Sequence, residues 1–390
     1  MSAWEFAMKK KADSITPALA FQRIVVKLGT TLLTAGSPRL NEERMTALVS
    51  QVAELHERGV EVVLVSSGAV AAGREKLGLP REVKGLPLRQ VLASVGQSRL
   101  MNVYERLFEP YGITLAQALL TRGDLCERVG YLNARNTLLA LLELGVIGVI
   151  NENDVVAVDE LHEGRFGDND NLSAMVANLI DADLLLILSD ISGLYTDDPN
   201  LNPDATLVPV VERITLEIES MVGGTAGSQG TGGMVTKIEA AKTATACGTT
   251  VVIASGREPE VILKAAAGEA VGTKFLPVSI PRESRERWML SGLAVKGRVV
   301  VDKGAAAALQ RDNRSLLAAG ITDIEGDFER GDLVDVFGPG LDRLGSGISN
   351  YSSSDIGLIK GAHSDSIGRL LGHDIGPEVV HRNNLVLLGK

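Results

Sequence analysis

Cysteine is scarce in this chain. Cys126 and Cys247 are the only two in 390 residues, too few and too far apart for a disulfide framework, and they fit a reducing cytoplasm. Histidine is scarce too: His56, His162, His363, His373 and His381 are scattered, and no pair has the spacing of a zinc site. No apolar run is long enough to cross a membrane. Lys9-Lys10-Lys11 are not followed by an apolar segment, so residues 1–20 read as an N-terminal extension rather than a signal peptide. The expected location is therefore the cytoplasm. Neither a Ser-His-Asp nor a Cys-His set is recognisable. That favours a reaction whose nucleophile is already ionised and needs no general base. A carboxylate, with a pKa of about 4, meets this condition at neutral pH.

With 45% hydrophobic and 23% charged residues, the composition is that of an ordinary soluble globular protein, long enough for two domains. The net charge of −10 argues against a general nucleic-acid binder. Charge is uneven along the chain: residues 1–280 hold 25 Lys and Arg against 34 Asp and Glu, and residues 281–390 hold 14 against 15.

Between about residues 21 and 276, short apolar runs alternate with helical patterns, as in a mostly parallel sheet covered on both faces. Residues 23–28, 60–65, 146–150, 184–188 and 250–254 read as strands. Asn41 is placed to cap a helix whose Met45, Leu48, Val49, Val52 and Leu55 follow a 3.6-residue period up to Gly59. Helical patterns also cover 89–108 and 133–144. Pro277, Pro281 and the charged run after it mark a linker over 277–291. Beyond it, runs such as Val299–Val301 and Leu333–Val336 among many glycines predict a small β-rich domain over 292–390. No internal repeat is present.

The richest local signal is Gly230-Thr231-Gly232-Gly233-Met234-Val235-Thr236-Lys237, a glycine-rich turn ending in a lysine as a helix begins. Glycines let the backbone approach a polyphosphate, and a helix N-terminus attracts anions. The segment is neither a P-loop nor G-x-G-x-x-G, and taken alone it also reads as a flexible surface connection. Lys27 closes the apolar run 24–28 just before Gly29. It either snorkels outward or meets a negative partner. Two glycine-associated lysines in one α/β unit suggest a phosphate held from two sides, and hence phosphoryl transfer. Ser67 lies on a tight strand-to-helix turn, where it caps the helix or its neighbouring amides hold an anion. Asp154 ends Asn151-Glu152-Asn153-Asp154, a composition that turns also favour. Gly167-Asp168-Asn169-Asp170-Asn171 opens a helix with more small polar side chains than capping can use. Those left over could grip an amino acid and orient lysines. Ser189-Asp190 sits at a strand end and reads either as a plain turn or as a nucleotide-adjacent loop. Acidic side chains near such a site also suggest Mg²⁺, commonly held by one or two carboxylates together with phosphates.

Taken in order, these segments resemble the amino acid kinase family. The resemblance is carried by residues 25–30, 65–73, 93–100, 132–138, 149–154, 167–174 and 193–199 together with 230–237, and it spans nearly the whole chain. It implies a three-layer αβα sandwich with a mostly parallel sheet over 21–276, followed by a PUA-like domain. Within the family, the likeness is to the branch that transfers the γ-phosphoryl group of ATP to the side-chain carboxylate of L-glutamate, opening proline synthesis. In that case Lys27 contacts phosphate, Lys237 stabilises the transferred group and Asp170 organises both lysines. Ser67, Asp154 and Asn169 bind glutamate, while Ser189, Asp190 and the stretch Thr231, Gly232, Gly233, Met234, Val235, Thr236 and Lys237 line the ATP site. ATP with Mg²⁺ is the expected cofactor set, with the metal ligands unassigned. Feedback by proline, a homo-oligomer (dimer or tetramer) and a downstream glutamyl phosphate reductase are further expectations, and neither membrane nor nucleic acid is an expected partner. Two alternatives stay open: a kinase for another acid such as aspartate or N-acetylglutamate, and an RNA-directed protein acting through its C-terminal domain.

Overall fold

The computed structural model describes residues 19–80, 85–157, 169–199, 201–223, 232–278, 295–312, 314–373 and 375–387. The chain divides into two compact units, residues 1–126 with 133–282, and residues 127–132 with 283–390. Most of the linker expected over 277–291 lies outside the described residues.

The first unit contains strands β1 (Arg23–Leu28), β2 (Glu61–Ser66), β3 (Leu115–Leu120), β4 (Ile147–Glu152), β5 (Leu184–Ser189), β6 (Val210–Val211), β7 (Thr250–Ser255) and β8 (Thr273–Phe275). They form one sheet in the order β3-β4-β2-β1-β5-β7-β8-β6, parallel throughout except between β7 and β8. Its main helices are α1 (Glu42–Glu57), α2 (Ala69–Leu77), α3 (Leu86–Phe108), α4 (Arg128–Glu143), α5 (Asn169–Leu179), α6 (Leu216–Gly223), α7 (Gly232–Ala246) and α8 (Val261–Ala267), the first turn of α4 lying in the second unit.

The central strands are buried on both faces, which is why they read as unbroken apolar runs. Side chains alternate along a strand, so Ile24, Val26 and Leu28 of β1 join one core with Met45, Leu48, Val52 and Ile262. Val25 and Lys27 therefore point to the other layer, where α5 packs across β1 and β5. The three-layer mostly parallel sandwich is thus present. Asn41 does cap α1, accepting from Arg44 N at 2.8 Å. Strand β4 runs on to Glu152, beyond the expected end at residue 150, because Asn151 and Glu152 keep pairing with Leu119 and Leu120.

The second unit has a five-stranded sheet built from Gly297–Val301, Ile321–Gly326, Leu333–Phe337, Arg343–Ile348 and Leu385–Leu387. All its pairings are antiparallel except that between Gly297–Val301 and Leu333–Phe337. A separate core of Val299, Val301, Phe328, Val334, Val336, Tyr351, Ile356 and Val380 holds it together, so the expected β-rich C-terminal domain is observed.

Candidate active site

The polar cluster sits at the carboxyl ends of the parallel strands. Along one row of the sheet, Lys27 pairs with Val65 on one side and with Ile187 on the other. The chain goes from β1 to β2 on one flank and enters β5 on the other, so β1 and β5 bound the crevice where the strand order reverses. Open α/β sheets bind ligands at this point. Gly29 follows directly, and a side chain there would stand 3.6 Å from Lys27 Nζ, in space beside the ammonium that glycine leaves open.

A lysine only 6% exposed needs a negative partner, and α5 supplies it. Lys27 Nζ lies 2.5 Å from Asp170 Oδ1, and Lys237 Nζ lies 3.1 Å from Asp170 Oδ2. Thr236 Oγ1 donates to the same Oδ2 at 2.8 Å. Burial alone would raise the Asp170 carboxyl, but the two ammonium charges and the hydrogen bonds from Lys27 and Thr236 outweigh it and hold the group below the ordinary aspartate range. Asp170 is therefore ionised at neutral pH. It fixes two cations that start far apart in sequence.

Helix α7 starts at Gly232, so Lys237 belongs to the second turn of a helix and not to its entry. Its Nζ also donates to Gly233 O, one turn back, at 2.8 Å. Gly233, Met234, Val235 and Thr236 are likewise helical; Thr231 and the segment before it lie outside the described residues.

A second cluster adjoins the first. Ser67 leaves β2 into a turn at Gly68, whose φ of 106° suits glycine and which packs under Leu33, Leu40 and Leu100. Asn169 Nδ2 donates to Ser67 Oγ at 2.8 Å and to Asn151 Oδ1 at 3.0 Å. Asn151 Nδ2 in turn donates to Gln97 Oε1 at 2.8 Å. Gln97 comes from α3, which meets α2 where Gly73 faces the Leu92 carbonyl and Gly96 faces the Ala69 carbonyl; a side chain at either glycine would overlap that backbone. Asp154 lies in the turn after β4, 3.9 Å from Arg89 Nη2. Gln90 Nε2 ties the same turn to α3 by donating to Val155 O at 3.1 Å.

The structure thus joins Lys27, Asp170, Thr236 and Lys237 in one group, and Ser67 and Asn169 in the next. Asp154 stands with Arg89, and Ser189 and Asp190 come at the carboxyl end of β5, the strand beside β1. Ser189 ends β5, with its Oγ accepting from Ile191 N at 3.2 Å, and Asp190 is exposed. Gly167 and Asp168 fall outside the described residues. Among the described residues, no group of three or more His, Cys, Asp or Glu converges as a metal site. Sequence reasoning missed Gln97 and Asn151. The signal for Gln97 was available, a carboxamide on the same helical stripe as buried Ala93 and Leu100.

A sequence model of the amino acid kinase family matches residues 22–255, and one of the PUA domain matches residues 297–371. A protein named glutamate 5-kinase from Dehalococcoides mccartyi strain CBDB1 is 57% identical over 94% of this chain and 99% of its own length. Proteins of the same name from Herpetosiphon aurantiacus and Deinococcus radiodurans are 51% and 52% identical, over 93% and 94% of this chain and 98% and 100% of theirs. The central sheet, the strand-end lysine and these likenesses over nearly the whole chain agree: the chain belongs to the amino acid kinase family.

Proposed function

We infer that this enzyme transfers the γ-phosphoryl group of ATP to the side-chain carboxylate of L-glutamate, giving γ-glutamyl phosphate for proline biosynthesis. The carrying observation is the pair of buried ammonium groups, Lys27 and Lys237, held on the one carboxylate of Asp170. Lys27 and Lys237 bring two positive charges to one buried carboxylate, a suitable host for a phosphoryl group in flight. The attacking carboxylate is already ionised, so no base has to be found. Catalysis reduces to alignment and charge neutralisation.

In this reading Lys27 contacts the phosphates, Lys237 acts on the transferred group, and Asp170 keeps both lysines aimed. Ser67, Asn169 and Asp154 hold the amino acid, while Ser189, Asp190 and the start of α7 border the nucleotide. Asp170 already engages two ammonium groups, and no protein cage forms among the described residues. Mg²⁺ arriving with ATP would neutralise phosphate charge at this site. No helix among the described residues is long and apolar enough to span a membrane, which accords with a cytoplasmic enzyme. The kinase domain is taken as 21–276 and the PUA-like domain as 292–390. Proline feedback, a homo-oligomer and hand-over of the acyl phosphate to a reductase belong to the same reading.

The test couples ADP release to each acid in turn, with hydroxylamine to trap an acyl phosphate as its hydroxamate. L-Glutamate should turn over with hydroxamate formed. Turnover of L-aspartate or N-acetylglutamate in its place would overturn the assignment.

A further inference from the structure

The far end of α5 is fastened at every carbonyl. An α-helix closes on four carbonyls that lack a partner within it. Here Val176 O accepts from Ile180 N at 3.1 Å, Ala177 O from Ala182 N at 2.9 Å and Asn178 O from Asp181 N at 3.4 Å. Leu179 O is left, and Arg135 Nη1 of α4 donates to it. Arg135 Nη2 also lies 2.7 Å from Asp181 Oδ2, and Asp181 is a non-glycine residue held at a φ of 51°. One residue further on, Ile180 O accepts from Nη1 of Arg23, which opens β1.

Stability does not ask for a guanidinium in this place. Arg135 is 2% exposed on a helix whose other buried side chains are leucines, and desolvating a charge can cost as much as its ion pair returns. What the arginine adds is direction. Packing against β1, β5 and α7 sets the depth of α5 but is non-directional, whereas bonds to a carbonyl and a carboxylate fix a point along the helix axis. Asp170 stands in the first turn of the same helix, roughly 13 Å from Leu179 at about 1.5 Å per residue. Its two oxygens meet Lys27 and Lys237 at 2.5 and 3.1 Å. A slide of about 1 Å along the axis would break one of those contacts. We propose that Arg135 is a positioning residue for the phosphoryl transfer: its two-point grip fixes α5 along its axis, so that Asp170 meets both lysines. The proposal rests on the reading of Lys27, Asp170 and Lys237 as the group that hosts the phosphoryl transfer.

The experiment sets Arg135→Met against Leu138→Ala, a lesion of the same helix on the side that faces Gly148 of β4. Both should lower the denaturant midpoint. Per folded enzyme and well below its melting temperature, Arg135→Met should lose about 10- to 100-fold in kcat with ATP and L-glutamate, while Leu138→Ala keeps wild-type turnover. Arg135→Lys retains a cation but not the planar fork, and should fall between wild type and Arg135→Met. If Arg135→Met fails to fold, Arg135→Lys carries the same comparison with Leu138→Ala. Wild-type kcat in the folded arginine variant would overturn the proposal, as would equal losses from Arg135→Met and Leu138→Ala. A double-mutant cycle of Arg135→Met with Asp170→Asn in urea unfolding reads the grip without turnover. Sites this far apart ordinarily add, so a non-additive cycle supports the grip and an additive one overturns it. A non-additive cycle in an enzyme that phosphorylates no glutamate would sink the functional reading and leave the grip standing.

Discussion

In the C-terminal unit, Arg343 reaches Asp335 at 2.7 Å and Ser346 donates to the same Asp335 oxygen at 2.7 Å. One cation meets one anion, partly in water. In the N-terminal unit, two lysines turn to a single aspartate, and all three residues are less than 8% exposed. The first arrangement is balanced and solvated, and pairs of that kind contribute little to stability. The second sets two cations on one anion and is enclosed. Desolvating three charges is costly, and apolar packing would serve stability as well or better. The contrast teaches where to look for function in this molecule: at the polar group that stability does not require.

The most damaging way to break the comparison is Asp170→Asn. It leaves two buried ammonium groups facing a neutral amide, and we expect a loss of about 3–5 kcal/mol in denaturant unfolding together with most of the activity. The pH dependence follows in sign. The folded-state pKa of Asp170 lies below its unfolded value, so its contribution is complete above the ordinary aspartate range and vanishes as pH falls through the depressed value. Wild type should therefore lose stability in acid more steeply than Asp170→Asn, as read by melting temperature against pH. Parallel curves would mean that the carboxylate is not held by the lysines.

Lys237→Ala comes next. Its main partner in the reaction is transition-state charge, so kcat should fall about 100- to 1000-fold while the KM for L-glutamate moves little. An equal loss in both would make the residue structural. Gly96→Ala should cost about 1–3 kcal/mol, because the new methyl drives α3 from the Ala69 carbonyl of α2. It should also raise the L-glutamate KM, since Gln97 moves with the helix; an unchanged melting temperature would show that the helices have room to part. Arg343→Ala should change stability by less than about 1 kcal/mol and leave turnover untouched. A large effect there would remove the contrast between the two units.

Much of the fold was legible in the chain. The apolar runs marked the central strands and Asn41 marked the start of α1, whereas the face on which Lys27 stands emerged only with the fold. The first turn of α7 was less legible, since Gly232 and Gly233 read as loop and yet open the helix. Arg135 was hidden for a similar reason. It is almost fully buried on α4, donating to Leu179 O and pairing with Asp181 at 2.7 Å, where it ties down the end of α5 opposite Asp170. In sequence it is one charged residue among leucines, and nothing local says that a helix end awaits it.

The sequence by itself determined the alternation of strand and helix, the two-domain composition and the set of polar segments lying beyond strand ends. Those are short-range properties, written in side-chain periodicity and in glycine, proline and capping residues. Only the tertiary structure decided that Lys27 and Lys237 share Asp170, that Gln97 joins Asn151 and Asn169, and which way each carboxamide faces. Such contacts depend on β1 lying between β2 and β5 and on two glycines letting α2 and α3 touch. Strand order and helix approach come from packing the whole core at once, and no local stretch of the chain encodes them.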